Sequence, residues 1–199
     1  MINTIIFDLG EVYLRCFSLA GENLATRLGI SEEEARKQYG GEELEAFNRG
    51  DITEEEYWSS LIARHRWNIS MNELKMIIRG SIKEIDGVRE LIERLREQGY
   101  KLGLLSNISK EWAGHNEGKF DYHRLFDVIV YSFEVGIRKP DKEIYKIVLE
   151  RLQVNPDECV FIDDREKNLI PARGLGMHTI RFEEEHQLRG RLCALGIKI

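Results

Sequence analysis

Asp8, Ser106 with Asn107, Arg138 with Lys139, and Asp163 with Asp164 are the residues of this chain whose types could do chemistry together. Three carboxylates brought to one place repel one another unless a cation intervenes. Clustered hard oxygen ligands suit Mg²⁺, which keeps several waters and commonly works beside a phosphate. A nearby lysine would hold the carboxylates ionised and could pair with a phosphate oxygen, while the Ser106 hydroxyl could donate to another. Each residue alone has a plainer reading: Asp8-Leu9-Gly10 has the composition of a turn, and Asp163 could cap the helix that follows it. The chemistry exists only if these distant segments meet.

The elements that carry them predict that they do. Apolar runs over 4–9, 101–106, 128–132, 159–162 and 177–182 are short and largely unalternating, the pattern of strands buried on both faces. Between them lie helical periods. Val88, Leu91, Ile92 and Leu95 keep the i, i+3, i+4, i+7 spacing before Gly99, and Tyr145, Val148, Leu149 and Leu152 mark a helix opening near Pro140. Further helices are expected over about 165–175 and up to Leu195. Alternating strands and helices imply right-handed βαβ crossovers and an α/β fold with a doubly wound, Rossmann-like parallel sheet. In such sheets ligands bind beyond the carboxyl ends of the strands. Asp8, Ser106 and the Asp163-Asp164 pair end three of these runs, and Lys139 follows another.

Residues 15–85 break the alternation. They are charged, contain no run of β character, and carry two N-cap signatures, Ser31-Glu32-Glu33-Glu34 and Thr53-Glu54-Glu55-Glu56. This stretch, 15–85, reads as an all-helical insertion into an α/β core made of 1–14 plus 86–199. Trp58 and Trp67 read as packing residues of its helices. His115 and His123 fall in a polar stretch read as irregular and exposed. The sequence Gly114-His115-Asn116-Glu117-Gly118-Lys119 lacks the spacing of a phosphate loop.

Composition excludes more than it selects. The chain has 199 residues, 29 basic against 35 acidic side chains and a net charge of −6, which argues against a dedicated nucleic-acid binder. Three widely spaced cysteines without a CxxC pair read as reduced structural thiols. No stretch approaches the roughly 20 apolar residues of a membrane span. The expectation is a cytoplasmic protein, a monomer or weak homodimer, with a small phosphorylated substrate and neither nucleic acid nor membrane as partner.

Four ordered motifs, Ile5-Ile6-Phe7-Asp8-Leu9-Gly10-Glu11-Val12, Leu104-Leu105-Ser106-Asn107, Arg138-Lys139-Pro140 and Phe161-Ile162-Asp163-Asp164 with Asn168 after it, resemble those of the haloacid dehalogenase-like (HAD) superfamily. The resemblance covers the whole chain, and the helical insertion sits where that superfamily carries its small cap. It is strongest to the subgroup containing bacterial α-D-glucose-1-phosphate phosphatase and the phosphatase domain of soluble epoxide hydrolase. The resemblance implies Asp8 as nucleophile, forming an aspartyl-phosphate that water hydrolyses. It implies Asp164, the Asp8 carboxylate and the Gly10 carbonyl as Mg²⁺ ligands, with Asp163 reaching the ion through water or orienting its shell. Ser106 and Lys139 would hold the phosphoryl oxygens, and Asn107 would shape the loop or face the substrate.

One departure bears on mechanism. Many phosphatases of this superfamily carry an acidic residue two places after the nucleophile as general acid, and this chain has Gly10 there. The sugar-phosphatase subgroup shares that glycine, and an anomeric phosphate, being a better leaving group, suits an acid-poor site. Glu11 is the candidate substitute acid, set against a solvated, non-catalytic side chain. The leading function is a Mg²⁺-dependent phosphomonoester hydrolase acting on a small metabolite, with sugar phosphates foremost. The alternatives are a 2-haloacid dehalogenase and a catalytically silent phosphate-ligand binding protein.

Overall fold

A computed structural model describes residues 1–199. After β1 (Thr4–Phe7) and the two-residue β2 (Leu14–Arg15) come five helices, α1 (Phe17–Leu28), α2 (Glu32–Tyr39), α3 (Gly41–Arg49), α4 (Glu54–His65) and α5 (Met71–Gly80). A second two-residue strand, β3 (Lys83–Glu84), follows them. The chain then runs through α6 (Val88–Glu97), β4 (Lys101–Ser106), α7 (Lys110–Phe120), β5 (Val128–Tyr131), the single turn α8 (Ser132–Val135) and α9 (Lys142–Leu152). It finishes with β6 (Cys159–Asp163), α10 (Glu166–Gly174), β7 (His178–Arg181) and α11 (Glu185–Ala194).

The five longer strands form one parallel sheet in the order β5-β4-β1-β6-β7, the doubly wound α/β arrangement expected from the alternation. The central strand shows why its apolar run is continuous. Ile5 and Phe7 point to one face, where α6 supplies Leu91, Ile92 and Leu95 and α11 supplies Leu188 and Leu192. Ile6 points to the other, against Val148 and Leu152 of α9 and Leu169 and Ala172 of α10. Thr4 to Phe7 pair with Lys101 to Leu104 on one side and with Cys159 to Ile162 on the other, so the ends of β1, β4 and β6 are level. Gly103 lets Leu152 of α9 pack close on the sheet: a Cβ there would stand 2.9 Å from Leu152 Cδ1, and that side chain would have to shift.

Helices α1 to α5 lie outside the sheet around their own apolar cluster of Tyr39, Phe47, Tyr57, Trp58 and Leu61. Ser31 accepts from the Glu34 amide at the start of α2, and Thr53 forms a reciprocal capping box with Glu56 at the start of α4, as their spacing predicts. Trp58 is buried among aromatic rings, and the Trp67 indole donates to Gln38 Oε1 at 2.7 Å.

Two expectations are corrected. The junctions of the inserted segment are not free of β structure, because Leu14 pairs with Glu84 and Arg15 with Lys83 in an antiparallel ribbon. Two-residue strands are too short to leave a period in sequence. The stretch containing His115 is not irregular but is the eleven-residue α7, capped by the Ser109 hydroxyl accepting from the Trp112 amide. Gly114 and Gly118 thin its apolar pattern, and burial of Ala113 and Asn116, with Trp112 packed on the aromatic cluster, holds it helical. No helix is long and apolar enough to cross a membrane.

Candidate active site

The level ends of β1, β4 and β6 bring three of the four motifs together, and the loop after α8 brings the fourth. The Asp8 amide still donates to the Ile162 carbonyl at 2.9 Å, so its backbone belongs to the sheet while its side chain stands past the edge. The chain then turns sharply: the amides of Tyr13 and Leu14 both donate to the Leu9 carbonyl, and Glu11 takes the left-handed conformation at φ 58°. Asp8 Oδ1 accepts from the Leu9 amide at 2.7 Å, which fixes the carboxylate on that turn.

Lys139 is the centre of the charge arrangement. Its ammonium is 1% exposed, 2.8 Å from Asp8 Oδ1 and 2.7 Å from Asp163 Oδ2. Asn107 fixes its backbone from both sides, accepting from the Lys139 amide and donating to the Lys139 carbonyl, each at 2.8 Å. Asn107 thus lines the cavity with its amide committed to shaping the Lys139 loop. Asp163 Oδ1 accepts from the Arg165 amide at 2.8 Å, and Asn168 Nδ2 donates to both Asp163 oxygens at 2.9 and 3.0 Å. Arg165 is the N-cap residue of α10, so Asp163 does secure the start of that helix while also holding Lys139.

Asp8, Gly10, Ser106, Asn107, Lys139 and Asp164 line one cavity of about 290 Å³, whereas the fully buried Asp163 is not among its lining residues. Oxygen atoms of Asp8, Asp163 and Asp164 nevertheless lie within 4.8 Å of one another. Burial, reinforced by the Asp163 and Asp164 charges and opposed by Lys139, raises the Asp8 pKa well above the carboxylate range. Burial and the Asp163 charge push Asp164 up to about 6. Burial acts against the Lys139 charge, but the Asp163 and Asp8 carboxylates outweigh it and raise the lysine pKa. One ammonium among three carboxylates leaves excess negative charge. Arg165 Nε stands 3.9 Å from Asp164 Oδ2, too far for a hydrogen bond. A hard divalent cation fits this donor set, and Asp8 and Asp164 face the cavity where their oxygens could hold one, with Gly10 on the same turn.

Glu11 is committed elsewhere. Its carboxylate accepts from the Cys16 amide at 3.0 Å, the Ser18 amide at 3.1 Å and the Ser18 hydroxyl at 2.9 Å, fastening the start of α1 to the Asp8 turn. A protonated Glu11 would lose acceptor capacity that three donors already use. Glu45 of α3 is likewise bound to Arg138 at 2.8 Å.

The helical segment contributes residues that no sequence pattern signalled. Phe17, Tyr39, Leu44 and Asn48 close the cavity from outside the sheet, facing Trp112 and Asn116 of α7. The Trp112 ring meets the Phe47 ring edge-on at 5.2 Å, and its indole donates to Glu54 Oε1 at 3.1 Å. Trp112 and Asn116 are four residues apart on one helix face, a signal visible only once that stretch is known to be helical.

The haloacid dehalogenase-like hydrolase family matches residues 3–182 of the chain. A flavin mononucleotide hydrolase of Arabidopsis thaliana is 31% identical over 77% of this chain and 62% of its own length. A glyceraldehyde 3-phosphate phosphatase of Pyrococcus abyssi is 27% identical over 92% of this chain and 82% of its own length. The chain spans 36% and 50% of the lengths of two other curated relatives it matches. Among solved structures, a HAD family enzyme of Bacteroides thetaiotaomicron in complex with magnesium and inorganic phosphate has the same fold, with a TM-score of 0.76 at 24% identity over 92% of this chain and 96% of that one. By its motifs, its sheet and this match, the chain belongs to the haloacid dehalogenase-like hydrolase family.

Proposed function

We propose that this chain is a Mg²⁺-dependent phosphomonoester hydrolase that works through an aspartyl-phosphate on Asp8 and acts on a small phosphorylated metabolite, a sugar phosphate foremost. The supporting observation is the buried Lys139 held between Asp8 and Asp163, with Asp164 beside them. A bound Mg²⁺ would neutralise the excess carboxylate charge and polarise the phosphoryl group.

This chain's own residues do the rest. An Asp8 carboxylate oxygen attacks phosphorus, and the bond from phosphorus to the leaving oxygen breaks with its electron pair on that oxygen, which takes a proton from solvent. Water then attacks the phosphorus of the aspartyl-phosphate, the bond to Asp8 breaks, and the carboxylate is regenerated as hydrogen phosphate leaves with one of the water's protons, the other returning to solvent. Lys139 and the Ser106 hydroxyl are preorganised donors for the equatorial oxygens, where charge builds up. Asp163 and Asn107 position Lys139, and Asp164 would hold the cation. With Gly10 lacking a side chain, and Glu11 and Glu45 both hydrogen-bonded, no free carboxylic acid stands ready for the leaving oxygen. A leaving group of low pKa, such as an anomeric hydroxyl, suits such a site. Residues 15–85 act as a cap that excludes bulk water from a core of 1–14 plus 86–199.

The test is release of phosphate and of halide from sugar phosphates, nucleotides, amino-acid phosphates and haloacids, with and without Mg²⁺, beside Asp8→Asn. Metal-dependent phosphate release abolished by Asp8→Asn is expected. Phosphate release that survives in Asp8→Asn overturns the mechanism, and halide release without metal replaces it with the dehalogenase reading.

A further inference from the structure

The cavity wall contains polar atoms that have lost water and gained no protein partner. Asn48 Oδ1 and Asn116 Oδ1 are both buried and unpaired, and both residues line the cavity. Folded proteins satisfy nearly all such atoms, so each exception calls for an explanation, and in a cavity wall a bound ligand that completes the bonding is one. The two asparagines come from opposite sides of the seam between the helical segment and the sheet, Asn48 from α3 and Asn116 from α7. Neither is loosely held. The Asn48 carbonyl accepts from the buried Ser132 hydroxyl at 2.5 Å. Asn116 follows Trp112 by one helical turn, and Trp112 packs on Phe47, the neighbour of Asn48.

We propose that Asn48 and Asn116 determine specificity by accepting hydrogen bonds from hydroxyl groups of the leaving group, and so select a carbohydrate phosphate; this rests on the phosphatase reading above. Two carbonyl-type acceptors favour groups that donate and reject carboxylates or a second phosphate, which bring only further lone pairs. Hydroxyls fit better than an ammonium, because the two free acceptors are neutral amide oxygens, while Glu11 and Glu45 of the cavity wall are already bonded to Ser18 and Arg138. Phe17 and Trp112 add apolar surface to the cavity wall, which suits the C–H surface of a sugar. The volume of about 290 Å³ lies just below the usual span of ligand sites, about 300 to 1,000 Å³, and favours a triose-to-hexose phosphate over a nucleotide or flavin.

The test compares kcat/KM for a panel of triose, pentose and hexose phosphates with that for acetyl phosphate, which transfers the same group but carries no hydroxyl. In Asn48→Leu and Asn116→Leu the ratio for the best sugar phosphate over acetyl phosphate is expected to fall roughly tenfold each, as for loss of one hydrogen bond from a buried site. Asn116→Asp, which keeps the acceptor, should hold the ratio within about threefold of the parent, on the same scale. An unchanged ratio in both leucine variants overturns the proposal and leaves the hydrolase reading intact. So does hydrolysis of acetyl phosphate by a protein that neither cleaves nor binds any sugar of the panel at millimolar concentration. If the parent releases phosphate from nothing, the hydrolase reading fails, and calorimetric binding of the same sugar phosphates decides the specificity claim. Binding weakened about tenfold by Asn48→Leu supports it, and equal or absent binding overturns it.

Discussion

Replacing Lys139 by methionine removes one charge from the centre of the site and keeps most of the volume of the side chain. The ammonium is 1% exposed and bridges Asp8 and Asp163, so the substitution leaves two buried carboxylates facing each other with Asp164 within 4.8 Å. Removing one partner of a buried ion pair costs about 3–5 kcal/mol. For a chain of this size each kcal/mol moves Tm by roughly 2–4 °C, so the expected fall at pH 8 is roughly 6–20 °C. The sign with pH follows from the direction of the shifts. The Asp8 pKa is already raised in the folded protein by burial and its acidic neighbours, and losing the lysine raises it further. A carboxyl whose folded pKa exceeds its unfolded value contributes stability that is fully present below the unfolded pKa and is lost as pH rises through the folded one. The deficit of Lys139→Met should therefore be large at pH 8, much smaller near pH 4, and partly reversed at pH 8 by Mg²⁺. Thermal melts by circular dichroism at both pH values, with and without Mg²⁺, read this directly. Phosphate release should fall by about 10²–10³, the usual loss of one preorganised donor. A Tm deficit of equal size at both pH values would refute the reasoning, since it would assign Lys139 a packing role and not an electrostatic one.

Mg²⁺ should raise the Tm of the parent protein more at pH 8 than at pH 5, because Asp164, pushed up to about 6, is largely protonated at the lower value and cannot bind the ion; equal gains in a melt series across this range would exclude Asp164 as a ligand. Gly10→Asp restores an acid at a place where a Cβ meets Cys16 Sγ at 3.4 Å and the backbone is not left-handed. It should speed cleavage of alkyl phosphates by up to about 10²–10⁴ and leave good leaving groups little changed, read as a flatter dependence of rate on leaving-group pKa. Glu11→Ala removes the acceptor of three hydrogen bonds and should cost about 2 kcal/mol in urea denaturation. Glu11→Gln, which keeps one acceptor oxygen, should leave the pH–rate profile unshifted; loss of its acidic or basic limb would restore Glu11 as the proton donor.

Much of the sheet was legible because its strands are short apolar runs whose burial on both faces leaves no ambiguity of side. The run expected over 101–106 is β4 itself, and that expected over 159–162 is β6 short of Asp163. The convergence of Asp8, Ser106, Lys139 and Asp164 on one cavity was also legible, since a parallel sheet puts strand ends at one edge. What hid from sequence was set by contacts between distant segments. Helix α7 carries few apolar residues, so its period shows only in what packs on it. Asn48 and Asn116 have no spacing that marks them, because their significance lies in a missing partner. Glu11 next to the Asp8 turn invites a catalytic reading, yet its left-handed backbone and its bonds to Cys16 and Ser18 direct the carboxylate to the neck of α1.

That neck has a consequence for how such a chain can change. The ribbon of β2 and β3 places Leu14 opposite Glu84, so the polypeptide departs from the sheet layer and comes back to it at a single doorway. Neighbouring backbones in such a ribbon stand only about 5 Å apart, a gap that a tight turn spans. Everything from Cys16 to Ile82 can be shortened, lengthened or exchanged without rethreading a strand of the sheet. Four residues of ribbon thus carry the whole covalent connection between the two layers, and the cavity between them is walled from both sides, by Asn48 on one and Asn116 on the other.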